Sequence, residues 1–385
     1  MKVLHTNFHH GWGGQPARIL MLGRGLAARG CEVTIAAPRG SILAARSREA
    51  GLRTFEEAAF RKAKHVVSVL HDRRALAVHL RRARYDLIDA HGSQDLWTAV
   101  LARRLVQAPP PLVFTRHNSK TVAAHSVNRW LYRQVDHVIL ASRSVGERYE
   151  PFLVRGDLRP DQVSVVHSAY RPDQFHPGLD ATALRAELGF EASTPLVGVV
   201  GRLVADKGQA DFLKAAVAVR RKRPDVLFLL VGTGTAEPEL RDLARDLGLL
   251  PAVRFLGFRD DVPSITAALT VSVLPSVDCD ASPAVLKEAL ACGVPVVATA
   301  IGGASEIVRD GVTGRIVPPR DPERLAAVIL SLLDDPVMAR AMGLRGSADV
   351  AARFTPDRLA EETLAVYAAV LGRGGRAVSP VPPGS

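Results

Sequence analysis

Short runs of β-branched and apolar residues recur along the chain, separated by stretches in which apolar positions return every three or four residues. The first kind matches buried strands and the second matches amphipathic helices. In the first half the strand-like runs are VLHTNF, EVTIAAP, YDLIDAHG, PLVFTRHN, DHVILAS and QVSVVHSAY, with helical patterns between them that include Ala17–Arg29, Arg61–Arg84 and Asp95–Val106. Such alternation predicts a parallel sheet covered by helices on both faces. After RPDQFHPGLDATALRAELG, a Pro- and Gly-rich stretch, a second series begins: PLVGVVGRL, LFLLVGTG, VRFLGF, VSVLPS, PVVAT and GRIVPP.

The length, 385 residues, exceeds one ordinary core. The pattern divides it into an α/β domain over 1–170, a linker over 171–190 and a second α/β domain over 191–354. A C-terminal helix over 355–371 is expected to pack back on the first domain, and residues 372–385 are expected to be disordered.

The second series is organised around LPSVDCDASPAVLKEALACGVPVVAT, from Leu274 to Thr299. It reads strand, loop, short helix, Gly, strand. Ser282 is the expected N-cap with Pro283 at the first helical position, and Gly293 ends the helix. A helix opening after a strand presents unpaired N–H groups at Pro283–Val285, here those of Ala284 and Val285, and a partial positive charge, which suits phosphate. Glu288 leans back toward that end and suits a ribose diol, and Asp280 in the loop would face whatever hangs from the distal phosphate. Sugar, diphosphate and ribose together make a nucleotide sugar.

Other strand ends carry compatible groups. Arg202 and Lys207 flank the turn after PLVGVV, where cations would neutralise a diphosphate. Gly232 and Gly234, then Gly302 and Gly303, punctuate two further strand ends. In the first half, Gly13 and Gly14 enter a helix and allow close approach of backbone to a ligand. His117 in TRHN ends a strand and could hydrogen-bond a sugar hydroxyl; with twelve histidines in the chain, a structural role is its ordinary alternative.

Composition narrows the class. With 47% hydrophobic and 23% charged residues the chain is globular, and it has no apolar run of membrane-spanning length and no signal-peptide pattern. Cys31, Cys279 and Cys292 form no disulfide or metal-ligand spacing, which fits a reducing cytoplasm. The net charge of +11 is uneven: residues 1–185 hold 28 Lys and Arg against 15 Asp and Glu. That half expects an anionic partner. Nucleic acid is not expected, since aromatics are 5% and no stacking or groove-reading motif occurs. The Arg61–Arg84 stretch interleaves Val, Leu and Ala with cations, so it is either a sheet-covering helix with a solvated charged face or one lying on an anionic membrane surface.

The motifs GRLVADKG, VGTGTAEPEL, FLGFRDDV and DCDASPAVLKEALACGVPVVAT together resemble the nucleotide-binding domain of retaining GT-B glycosyltransferases of family 4. The first half is similar more loosely, through its GWGG turn and TRHN. The resemblance implies a GT-B fold of two facing Rossmann-like domains with an inter-domain cleft. It implies that Arg202 and Lys207 hold the diphosphate, that Glu288 holds the ribose, and that His117 and the Gly13–Gly14 turn line the sugar side. It further implies a hexosyl- or heptosyltransferase acting with retention and without a metal or other cofactor. The acceptor would be an envelope glycan or lipid-linked molecule, with lipopolysaccharide core as one expectation and the inner face of the cytoplasmic membrane as a peripheral location. Asp280 stands where the family has Glu, one methylene shorter. Asp278-Cys279-Asp280 also spells the Asp-x-Asp of metal-dependent transferases of another fold, read here as coincidence. A nucleotide-sugar epimerase, a glycan phosphorylase and a non-catalytic nucleotide-sugar-binding protein are the alternatives.

Overall fold

The computed structural model describes residues 1–61, 66–118, 120–278 and 280–373. Cys279, residues 62–65 of the basic stretch and residues 374–385 of the expected tail lie outside the described residues, while 372 and 373, also expected in the tail, end the last helix. The chain forms two compact units, one of 1–168 with the segment from 356 onward, the other of 169–355.

The first unit carries seven parallel strands: β1 Lys2–Thr6, β2 Glu32–Ala36, β3 Arg53–Phe55, β4 Leu87–Ala90, β5 Leu112–Arg116, β6 His137–Leu140 and β7 Val163–Val165. Their spatial order is β3-β2-β1-β4-β5-β6-β7. The central strands β4, β5 and β6 are buried at every position, as continuous apolar runs in a doubly covered sheet should be. Strand β3 has no counterpart in the sequence reading, because Arg-Thr-Phe is too short and too polar to stand out. The basic stretch is the helix Val66–Ala83. Its inner face buries Asp72, Leu76, Ala77 and Leu80; it packs on the helix Ser93–Arg103, and His79 stacks on Phe55 of β3.

The helix Pro356–Arg373 belongs to this unit and lies against the helix Gly14–Ala28. Gly25 permits that approach, since a Cβ there would lie 2.9 Å from Cβ of Ala360. Arg29 donates to Asp357 at 2.9 Å and to Glu361 at 3.1 Å across the same seam.

The second unit carries six parallel strands: β8 Leu196–Val200, β9 Leu227–Val231, β10 Val253–Gly257, β11 Val271–Leu274, β12 Val296–Thr299 and β13 Arg315–Val317. Their order is β10-β9-β8-β11-β12-β13. Direction of travel through the sheet reverses between β8 and β11, the position where open α/β sheets leave a crevice at their carboxyl edge. The equivalent reversal in the first sheet falls between β1 and β4. The stretch 171–190, expected as a linker, packs into the second unit instead: Phe175, Leu184 and Phe190 are buried in its core, and Thr182–Glu187 is helical. Pro and Gly there shape a packed loop.

The helix Ala284–Ala291 ends at Gly293, whose φ of +75° is the left-handed conformation that favours glycine. The helix Pro336–Arg353 packs on it so closely that a Cβ at Gly343 would lie 2.0 Å from the Gly293 carbonyl oxygen. Gly343→Ala is therefore expected to lower stability by about 1–3 kcal/mol, read as a lower urea midpoint with unchanged slope. An unchanged midpoint would show that the two helices can separate freely.

Candidate functional site

At the carboxyl edge of the second sheet, four loops cross with backbone against backbone. Gly208 (φ +68°) caps the helix Gln209–Lys222, and a Cβ there would sit 1.9 Å from the Pro275 carbonyl oxygen. Gly232 would clash likewise with the Gly201 carbonyl, and Gly302 with that of Asp280. The loop after β11 is further held from below: Asp206 O accepts from the Val277 N–H at 3.0 Å, and the Gly303 N–H donates to Asp280 O at 2.9 Å.

These crossings bring Lys207 and Asp280 together although 73 residues separate them. Lys207 Nζ donates to Asp280 Oδ2 at 2.5 Å, and Ser276 Oγ donates to the same oxygen at 3.0 Å. The pair straddles the switch point, Lys207 after β8 and Asp280 after β11. Both side chains are largely shielded, 21% and 10% exposed, where a paired charge interacts more strongly than at an open surface.

The neighbouring helix opens differently from the sequence expectation. Pro283 is its N-cap and Ala284 its first residue, and no side chain caps it. Ser282 is not the cap because its hydroxyl accepts instead from Lys287 Nζ at 3.0 Å. Lys287 is fully buried, with its ammonium 5.3 Å from the Phe354 ring centre. The N–H groups of Ala284 and Val285 are thus left without a side-chain acceptor, the condition for anion binding.

Glu288 lies one turn further on, its Oε1 3.7 Å from Arg171 Nη2. Burial raises its carboxyl above the ordinary range, and Arg171 and Lys287 pull it partly back. Burial, reinforced by Glu288, pushes the Cys292 thiol up to about 12, so it is no nucleophile. Arg202 is exposed, and its guanidinium has no hydrogen-bond or ion-pair partner among the described residues. The structure therefore joins Lys207 to Asp280 and sets the helix end beside them in the chain, but does not bring Arg202 or Glu288 into contact with that pair.

In the first unit Gly14 opens the helix Gly14–Ala28, and both Gly13 and Gly14 face open space on the side a Cβ would occupy. His117, just beyond β5, is part of a buried polar chain that the sequence reading missed. His117 Nε2 is 2.9 Å from His91 Nδ1, and His91 Nε2 is 2.9 Å from His5 Nδ1. Asp89 Oδ2 lies 3.6 Å from His91 Nε2 and 3.8 Å from His5 Nδ1. Tyr367 Oη donates to Asp89 Oδ2 at 2.5 Å and Thr115 Oγ1 to Oδ1 at 2.8 Å. Register explains the cluster, since His5 of β1 pairs with Asp89 of β4 across the switch point. The available signal was a charged residue inside the apolar run LIDA.

Burial lowers His5 to about 3 and holds His91 and His117 well below the ordinary imidazole range. It pushes Asp89 up to about 7, with Tyr367, Thr115 and buried Arg18 pulling the other way. His5, Asp89 and His91 also place three potential metal-ligand atoms within 4.8 Å of one another. A separate cavity of about 950 Å³ opens at the carboxyl ends of β2 and β3, lined by His10, Arg39, Glu56, Glu57, Arg61 and His71 among others.

Two Rossmann-like parallel-sheet units, each with a loaded carboxyl edge, define the GT-B fold. Residues 180–348 match the family described as Glycosyl transferases group 1, and residues 12–174 match Glycosyltransferase Family 4. Among curated relatives, a GDP-mannose-dependent monoacylated alpha-(1-6)-phosphatidylinositol monomannoside mannosyltransferase of Corynebacterium glutamicum is 38% identical over 190 residues, 47% of this chain and 49% of that protein. A D-inositol 3-phosphate glycosyltransferase of Segniliparus rotundus is 38% identical over 229 residues, 56% of this chain and 49% of that protein. The chain spans about half the length of these relatives. Among solved structures, Anabaena HepE in complex with UDP has a TM-score of 0.79 at 23% identity, covering 96% of this chain and all of that one. Sucrose-phosphate synthase from Thermosynechococcus elongatus has a TM-score of 0.79 at 25% identity, covering 97% and 99%.

The raised carboxyl of Asp89 has a testable sign. A group whose pKa is higher in the folded state lends stability in full below its unfolded value, near 3.8, and loses it as pH rises through about 7. Asp89→Asn stays neutral throughout. Relative to that variant, the wild type is expected to lose about 2–4 kcal/mol between pH 4 and pH 8, measured by urea unfolding across the range. A constant difference would show that Asp89 is ionised throughout.

Proposed function

We propose that the chain is a glycosyltransferase that moves a sugar from a nucleotide-sugar donor to an acceptor hydroxyl with retention at the transferred carbon. The observation that carries the reading is the Lys207–Asp280 pair at the switch point, followed in the chain by an uncapped helix end. The diphosphate would lie on the N–H groups of Ala284 and Val285, with Lys207 and Arg202 as cations and Glu288 on the ribose. Asp280 would hold hydroxyls of the transferred sugar.

In the step itself the bond between the sugar carbon and the diphosphate oxygen breaks, and negative charge grows on the leaving phosphate. Fixed N–H dipoles and cations stabilise that charge, commonly the largest catalytic contribution. The departing oxygen accepts the proton of the acceptor hydroxyl, whose oxygen bonds to the sugar carbon from the same face. No separate base and no metal are required by this route. In the first unit His117 and the Gly13–Gly14 turn would serve the sugar.

The acceptor is proposed to carry phosphate. The basic balance of the first half supports this, as do the phosphate-bearing names of the relatives. Lipopolysaccharide core is the second acceptor to be tried, as a phosphorylated envelope glycan. No helix among the described residues is long and apolar enough to cross a membrane. The helix Val66–Ala83 does expose Val67, Leu70 and Val78 along with Arg74, Arg81 and Arg82, a mixed face compatible with an anionic bilayer surface.

A donor screen reading released nucleoside diphosphate, with and without phosphorylated acceptors, is expected to show acceptor-dependent release that persists in excess EDTA. Product without acceptor would favour an epimerase, a requirement for inorganic phosphate a phosphorylase, and binding without turnover a non-catalytic protein. Lys207→Ala is expected to lower kcat at least tenfold, about 1.4 kcal/mol. An unchanged rate would remove Lys207 from the machinery. In liposome flotation, preferential recovery with anionic vesicles supports the surface reading, and equal partition with neutral vesicles ends it.

A further inference from the structure

We propose that His5 and His91 are positioning residues that lock His117 in the tautomer protonated on Nδ1, so that its free ring nitrogen is always a donor. The value of this to catalysis rests on the assignment of His117 to sugar binding above; the tautomer itself does not.

The inference follows from counting protons. His5 and His91 are 0% and 2% exposed and His117 is half-buried, surroundings that disfavour the charged form, so each ring carries a single N–H. His91 uses both nitrogens, one toward His5 and one toward His117, each at 2.9 Å. It must donate through one and accept through the other. Only two arrangements satisfy both bonds. Protons can run outward, from His5 Nδ1 to His91 Nε2 and from His91 Nδ1 to His117 Nε2, leaving the third proton on His117 Nδ1. Or they can run inward, which puts the last proton on His5 Nε2.

The inner end decides between them. His5 Nε2 is buried and has no hydrogen-bond partner among the described residues. The inward arrangement would strand an N–H there, and orphaned buried N–H groups are the rarer defect in folded proteins. The outward arrangement leaves only a bare lone pair. At the other end His117 is part-exposed, where water serves either tautomer equally well. The surrounding groups fix the rings without reversing this order. Asp89 sits beside the His5–His91 contact, where either arrangement supplies a proton, and it is already engaged by Tyr367 and Thr115. Asp95 Oδ2 accepts from the backbone N–H of His91 at 2.8 Å. Arg18 is tied to Val166 O and Ser168 Oγ, both at 2.9 Å.

A metal held by His5, Asp89 and His91 is the competing use of these atoms. It would have to break the His5–His91 hydrogen bond, because the nitrogens nearest Asp89 are the two that bond each other.

The test is long-range proton–nitrogen NMR of the full chain labelled with nitrogen-15 in histidine, using the His117→Gln spectrum to assign the His117 signals. The expected result is an Nδ1–H tautomer for His117, His91 and His5 alike, unchanged on adding zinc. In His5→Phe the His117 signals should move toward a mixture of tautomers. Transfer kcat should then fall at least about fivefold with KM for the nucleotide sugar unchanged, and His5→Gln, whose amide can still donate to His91, should restore much of it. An Nε2–H tautomer at His117 in the wild type overturns the proposal without any variant. So does a zinc-dependent shift of the His5 and His91 signals, which would identify a metal site. Since the NMR needs no substrate, its outcome is independent of whether the chain transfers sugar.

Discussion

Backbone crossing backbone at the carboxyl edge of the second sheet is the constraint on which that unit's chemistry depends. Three side-chain-free positions, Gly208, Gly232 and Gly302, each bring a loop within van der Waals contact of a neighbouring carbonyl, and all three have positive φ. Any larger residue at Gly208 would push the β8 loop away from Pro275 and carry Lys207 with it. Since Lys207 meets Asp280 at hydrogen-bond distance, such a displacement would lengthen and weaken the contact. The ion pair is thus a consequence of glycine placement as much as of charge.

The first unit makes the opposite kind of centre. Where the second sheet has tight backbone contact, the first has a chain of buried polar side chains at its own switch point, from Arg18, His5 and Asp89 to His91 and His117. Such a network is costly to bury and is tolerable only if nearly every member is bonded. Tyr367 supplies one of those bonds from the helix that returns to the unit at the end of the chain. That helix is therefore more than a cover. Without its phenol, Asp89 would lose one of its two donor residues.

Most of the architecture was legible in the sequence because parallel strands buried on both faces are written as continuous β-branched runs, with helical patterns between them. What was not legible has physical causes. Strand β3 is recognisable only through its pairing with β2. Phe175, Leu184 and Phe190 were masked by the Pro and Gly around them, which read as a linker. Ser282 had the right residue type for an N-cap, but Lys287 outcompetes the helix for its hydroxyl. Of the candidate site the sequence shows residue types and not contacts: Lys207 and Asp280 both stand out, yet nothing local says that they bond each other. The histidine chain was less visible still. Its links span 86 and 26 residues and follow from strand order, which no local pattern encodes.

The Lys207–Asp280 pair also bears on how an anion would be received. An ammonium has three donors, and Asp280 engages one, so Lys207 can bind a phosphate oxygen without releasing the carboxylate. The pair as a unit is nearly neutral, however. Compensation of a diphosphate would then fall mainly on the uncapped helix end and on a cation that is not already committed. Arg202 meets that description, exposed and without a partner among the described residues. A guanidinium on a flexible stem at the mouth of the loop can fold over an arriving phosphate and contact two oxygens at once. On the proposed function the paired lysine would set where the sugar-bearing phosphate sits, and the exposed Arg202 would add charge against the other phosphate.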